Sequence, residues 1–122
     1  MPFRIRWLGT ACFEIHLDSG RTVLIDPYLD DSVTAPIRSD EIEGCDSIFL
    51  THGHYDHVLD VGKLARRFQP SIYCSQEVAG VLPEHQGIDP VRFTPVTAGD
   101  TIVEMTERTE ARVRGEIRRI VG

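Results

Sequence analysis

Thr51-His52-Gly53-His54-Tyr55-Asp56-His57 places four strong metal-ligating side chains, His52, His54, Asp56 and His57, within six consecutive positions. Neutral imidazole is a preferred ligand of zinc and neighbouring transition ions, and carboxylate suits the same ions. On an extended segment residues two apart point the same way, so His52 and His54 can grip one ion. Gly53 between them leaves room for a tight bend. Asp56 and His57 fall where the chain turns into a helix, and their side chains diverge within reach of a second ion. Capping or solvation would explain any one of these residues alone. It does not explain four at this spacing.

Outward from the cluster, the pattern is α/β. Ser47-Ile48-Phe49-Leu50 is a short apolar strand that delivers the chain to Thr51. Val58, Val61, Ala65 and Phe68 recur at helical spacing with Lys63, Arg66 and Arg67 left for solvent, which predicts an amphipathic helix ended by Pro70. Ser71-Ile72-Tyr73-Cys74 reads as another strand, and Ser75 can cap a helix to about Leu82. Pro83 to Pro90 reads as a loop, Val91-Arg92-Phe93-Thr94 as a strand, and Ala98-Gly99-Asp100 as a turn into Thr101-Ile102-Val103.

Toward the N-terminus, Phe3, Ile5 and Trp7 alternate with Arg4 and Arg6, and Phe13, Ile15 and Leu17 alternate with Cys12, Glu14 and His16. Period-2 patterning marks strands with one buried face. With Thr22-Val23-Leu24-Ile25, which ends at Asp26-Pro27, these segments predict an antiparallel meander. Tyr28 to Gly44 is polar, acidic and interrupted by proline, as a surface loop would be. From Arg108 to Arg118 charged residues alternate with Thr109, Ala111, Val113, Gly115 and Ile117, favouring a half-exposed strand over a helix. The expectation is one domain over residues 1–122: a mixed β-sheet with helices on one face.

Composition narrows the function classes. The 122-residue chain has a formal net charge of −6, which disfavours a general nucleic-acid binder. Arg108, Arg112, Arg114, Arg118 and Arg119 concentrate positive charge locally, but Glu107, Glu110 and Glu116 balance them and no aromatic platform is interleaved. No apolar run approaches the ~20 residues of a membrane-spanning helix. Met1-Pro2-Phe3-Arg4-Ile5-Arg6 lacks the apolar block of a signal peptide, so a cytoplasmic location is expected. Cys12, Cys45 and Cys74 are odd in number and widely spaced, which suggests reduced, buried thiols.

The cluster resembles the T-H-x-H-x-D-H signature of the metallo-β-lactamase superfamily. Trp7-Leu8-Gly9-Thr10-Ala11-Cys12-Phe13 and Leu24-Ile25-Asp26-Pro27-Tyr28-Leu29 are similar to its broad-specificity metal-dependent hydrolase branch, which includes ascorbate-6-phosphate lactonase-like proteins. The resemblance covers residues 3 to 103 in element order and implies half of an αββα sandwich. It implies a site for one or two Zn ions, with Mn or Fe as substitutes, His52 and His54 on the first and Asp56 and His57 on the second. The reaction implied is hydrolysis of a small-molecule ester, lactone or phosphoester by water activated at the metal. Asp56 is the residue placed to accept a proton from that water. Asp26 is expected either to orient a ligand histidine or to cap the turn before Pro27.

The family completes its site with a further His, a bridging Asp and a last His from the second half of the fold. After His57 this sequence offers only His85, in a segment read as a loop and not as a ligand position. His16 alternates with apolar neighbours and reads as a surface or satisfied core residue. Three readings follow: a fragment of a longer hydrolase, a homo-oligomer in which a second copy supplies the missing layer, or a degenerate member. The rival function class is a non-catalytic metal-binding interaction module.

Overall fold

The computed structural model describes residues 3–103. The strand expected between Arg108 and Arg118 lies outside them. Strands β1 (Arg4–Trp7), β2 (Phe13–His16), β3 (Thr22–Ile25), β4 (Ser47–Phe49), β5 (Ser71–Cys74) and β6 (Phe93–Pro95) form one six-stranded sheet in sequence order. β1, β2 and β3 pair antiparallel, as the alternation predicts. β3 through β6 pair parallel, each crossover carrying a loop or helices. The helices are α1 (Tyr55–Val58), α2 (Val61–Phe68) and α3 (Gln76–Gln86).

Register fixes the two faces of the sheet. Leu24, Ile48 and Ile72 pair across β3, β4 and β5 and point into a core with Val61, Leu64 and Leu82 from the helices. The apolar stripe of α2 is thus buried as its spacing requires. Cys12 and Cys74 sit fully buried in the same core and carry no disulfide. Burial pushes both thiols up to about 11. They should resist a thiol reagent near pH 8 in the native chain and react on denaturation, because the thiolate is the reactive species.

The opposite face is apolar, exposed along β1 and half-buried over most of the other strands. Trp7, Phe13, Ile25, Phe49 and Tyr73 lie in one cross-strand row, with Ile5, Ile15 and Val23 in the next. No charged residue stands in either row, and Phe49 and Tyr73 stack at 4.8 Å. Alternation predicts that Phe3, Ile5 and Trp7 are the buried side of β1, yet they are 58, 55 and 64% exposed. The reason is positional. Among the described residues the helices cover only the other face, and no second layer lies against the apolar side of the meander.

Two boundaries also differ from expectation. Helix α3 does not stop near Leu82 but runs through Pro83 to Gln86. Proline removes one helical donor, but Leu82 and Ile88 are both buried and hold the last turn against the core. Gly87, at φ +67°, then ends the helix in the left-handed conformation, and Ile88 N–H donates to the Pro83 carbonyl. The expected strand from Val91 begins only at Phe93, after a 3-10 turn over Pro90–Arg92 that Asp89 caps. The polar stretch from Tyr28 to Gly44 is a loop, as read, apart from a short 3-10 turn over Ser39–Glu41.

Candidate metal centre

Parallel strands β3 and β4 end side by side, and the polar cluster begins where they end. Asp26 N–H still donates to the Phe49 carbonyl (3.0 Å), so the two strand ends are in register when the chain leaves the sheet. Ligand sites in α/β proteins collect at this edge. Thr51 follows β4 after one residue, Leu50, and His54 precedes the first residue of α1. Gly53 does not adopt a special backbone angle. Its role is close approach, since a Cβ there would lie 3.3 Å from Val78 Cγ2 of α3.

Asp26 organises the cluster. It is 1% exposed and holds φ at +46°, a left-handed angle that Asp tolerates better than most residues. Its Oδ1 accepts from Thr51 N–H (2.8 Å), and its Oδ2 accepts from the Thr51 hydroxyl (2.6 Å) and from His57 Nδ1 (2.8 Å). A carboxylate only accepts, so His57 donates from Nδ1, the tautomer whose neutral ring keeps its lone pair on Nε2. Thr51 spends its hydroxyl proton on Asp26, so its oxygen accepts from His52 Nδ1 at 2.9 Å. In the neutral ring that leaves the lone pair of His52 on Nε2 as well. One buried carboxylate therefore sets the tautomers of two histidines, directly for His57 and through Thr51 for His52.

The rings converge. The His52 ring centroid lies 3.9 Å from that of His57 and 4.5 Å from that of His54. Asp56 Oδ1 is 3.6 Å from His57 Nε2. Asp26, His52 and His57 offer ligand atoms all within 4.8 Å of one another, a donor set suited to a borderline divalent ion. The sequence pairs His52 with His54 and Asp56 with His57; the fold also brings His52 against His57 across the loop. His16 and His85 lie elsewhere. His16 Nε2 bonds the buried Glu14 at 2.9 Å at the far end of β2, and His85 is on the last turn of α3 rather than in a loop.

Nothing in the sequence singles out Asp60. It is fully buried, and its Oδ2 accepts from Leu29 N–H (2.6 Å) and Asp30 N–H (3.1 Å). Its own N–H donates to the Pro27 carbonyl at 3.2 Å. The loop that follows Asp26 is thereby pinned to the start of α2. Burial pushes the Asp60 carboxyl above its ordinary range, and neighbouring Asp30 adds to the effect. For Asp30 burial acts in the same upward direction, but hydrogen bonds from Lys63 and Ser39 prevail and hold it well below the usual carboxylate range. Asp60→Ala strands two buried N–H groups and should cost about 2–4 kcal/mol in denaturant unfolding. Asp60→Asn keeps an acceptor and should cost less than half of that; equal midpoints for all three proteins would contradict the pinning role.

Tyr55 flanks the cluster, packing edge-on against Tyr28 at 5.9 Å and donating its hydroxyl to Asp31. That hydrogen bond to a carboxylate pushes the exposed phenol up to about 12. Ultraviolet titration should therefore show one tyrosine ionising near pH 12, with that last step returning to the ordinary range in Asp31→Asn.

Fold and cluster together define an α/β protein with a histidine and carboxylate cluster at its parallel strand ends. The family model of the metallo-beta-lactamase superfamily matches residues 5–120, and the chain belongs to that superfamily. It is similar to a UPF0173 metal-dependent hydrolase of Methanopyrus kandleri, 38% identical over 108 residues that cover 88% of this chain and 45% of that protein. A UPF0173 metal-dependent hydrolase of Solibacter usitatus is 35% identical over 88 residues, covering 72% and 37% respectively. The chain thus spans less than half the length of these relatives. Among solved structures, the metallo hydrolase Igni18 from Ignicoccus hospitalis superposes with a TM-score of 0.68 at 20% identity, over 81% of this chain and 41% of that one. The chemotaxis sensor ODP, described with a peroxy diiron species, superposes at 0.62 and 27% identity, over 84% and 44%.

Proposed function

We propose that this chain carries the metal-binding part of a metal-dependent hydrolase acting on a small-molecule ester, lactone or phosphoester. The observation that carries the reading is the convergence of three imidazoles, two of them held in the tautomer that leaves Nε2 free. His52, His54, His57 and Asp56 would hold the ion or ions, Zn by donor type, with Mn or Fe as substitutes. When bound, such an ion supplies Lewis acidity, bringing the pKa of water down toward ~7 and polarising a carbonyl or phosphoryl oxygen.

The protein's own groups divide the remaining work. Asp26 and Thr51 keep protons off the two Nε2 atoms in the neutral rings. The Asp56 carboxylate, about half exposed beside His57, is the group placed to take a proton from water at Oδ1. Tyr55 and Tyr28 wall one side of the cluster. The test is a panel of p-nitrophenyl phosphodiesters, simple esters and lactones, assayed after chelation and after adding back Zn, Mn or Fe(II). Turnover restored by metal supports the hydrolase. Saturable metal uptake with no turnover on the panel supports the interaction module instead, a reading that the apolar, uncharged sheet face favours.

That same face motivates the assembly proposed here. A sheet with helices on one side buries its other side against a second layer, and in the 122-residue chain a second copy would supply it. Sedimentation velocity should then show a dimer. A monomer that unfolds cooperatively would contradict the assembly. Buried Cys12 and Cys74, which carry no disulfide, accord with a cytoplasmic setting. Among the described residues no helix is long and apolar enough to cross a membrane.

A further inference from the structure

We propose a second ligand site on the outer helical layer: the groove between α2 and α3 binds an oxyanion, carboxylate or phosphate, carried on a short apolar body. The cleft encloses about 490 Å³, within the range of small-molecule pockets. Val58 and Leu82 form its buried wall, and Val81 stands 66% exposed at its lip. Lys63, Arg66 and His85 line it, and no carboxylate does. In a chain of net charge −6 that local sign is the reverse of the whole.

The cations are not equally committed. Lys63 reaches out to Asp30. Arg66 donates one bond to the Gln86 carbonyl (3.0 Å) and pairs with no carboxylate among the described residues, so most of its donor fork is left for a ligand.

The groove is also preformed. Gln86 Oε1 accepts from Gly62 N–H (2.7 Å), while Gln86 Nε2 donates to the Val58 carbonyl (2.9 Å). A single side chain therefore ties α3 to both α1 and α2. Gly62 makes this possible, because a Cβ there would stand 3.0 Å from Gln86 Oε1 and 3.2 Å from its Cβ. Walls fixed before binding spare the ligand an ordering cost. Gly53 and Tyr55 also line the groove, so an occupant lies beside the loop that carries the histidine cluster. The site needs no metal and stands apart from the hydrolase reading.

The test is an NMR titration of the 122-residue chain with sodium octanoate, octyl phosphate, inorganic phosphate and octyltrimethylammonium. Either octyl anion should give saturable shifts at Gly62, Val81 and Leu82, and the stronger of the two identifies the preferred headgroup. Arg66→Gln should weaken that binding about tenfold, the loss expected for one charge-assisted hydrogen bond. Val81→Asp, at the exposed lip, should weaken it too while leaving the rest of the spectrum in place. No shift at these residues at millimolar ligand, or equal binding of the ammonium, would overturn the site. Inorganic phosphate binding as tightly as octyl phosphate would remove the apolar half of the proposal.

Discussion

Replacing Asp26 by asparagine lowers metal affinity about 10–100-fold while leaving the fold nearly as stable as before. Asparagine tolerates the left-handed angle of +46° and can still accept from Thr51. The other half of its amide, however, is a donor, and it would face His57 Nδ1, which now donates to Asp26 at 2.8 Å. His57 would have to move its proton to Nε2, the atom needed for the ion. Asp26→Ala is harsher. It strands the Thr51 N–H, the Thr51 hydroxyl and His57 Nδ1 together, and should cost about 2–4 kcal/mol as well as the metal. If Asp26→Asn binds metal as tightly as the parent, Asp26 serves only the turn before Pro27.

The second large effect is on turnover. With any substrate that responds to added metal, His52→Ala and His54→Ala should each reduce kcat/KM by on the order of a hundredfold or more. His16→Gln is the matching control. His16 sits at the end of β2 that pairs with Thr22, whereas Asp26 follows the opposite end of β3, so its loss should change turnover by no more than about twofold. A loss of activity in His16→Gln equal to that in His52→Ala would mean that general destabilisation, not ligand loss, governs the readout.

What could be read in the sequence was local chemistry with a short period. The signature from Thr51 to His57 is contiguous, and the strands before it and the helix after it announce themselves by spacing 2 and spacing 3.6. The relay from Asp26 through Thr51 to His52 was only partly legible. Asp26 stood out beside Pro27, but its partners lie 25 and 31 positions away, and only the parallel pairing of β3 with β4 brings them together. Asp60 was silent for the same reason, its Oδ2 being committed to backbone donors some 30 residues back. The continuation of α3 through Pro83 was missed because proline is a strong local breaker, and burial of Leu82 and Ile88 outweighs it. The exposure of Trp7 and Ile5 could not be read from alternation, which tells apolar from polar sides but not whether a partner layer is present.

The central claim, that His52, His54, Asp56 and His57 form a metal centre organised by Asp26, is tested most directly by metal stoichiometry. Equilibrium dialysis of the 122-residue chain against Zn, Mn and Fe(II), read by elemental analysis, should show saturable uptake of one or two ions per chain. Uptake should fall by at least about tenfold in affinity in His52→Ala and in His57→Ala and persist in His16→Gln. Absence of saturable uptake by the parent chain, or uptake unchanged in a His52→Ala/His57→Ala double variant, would contradict the account.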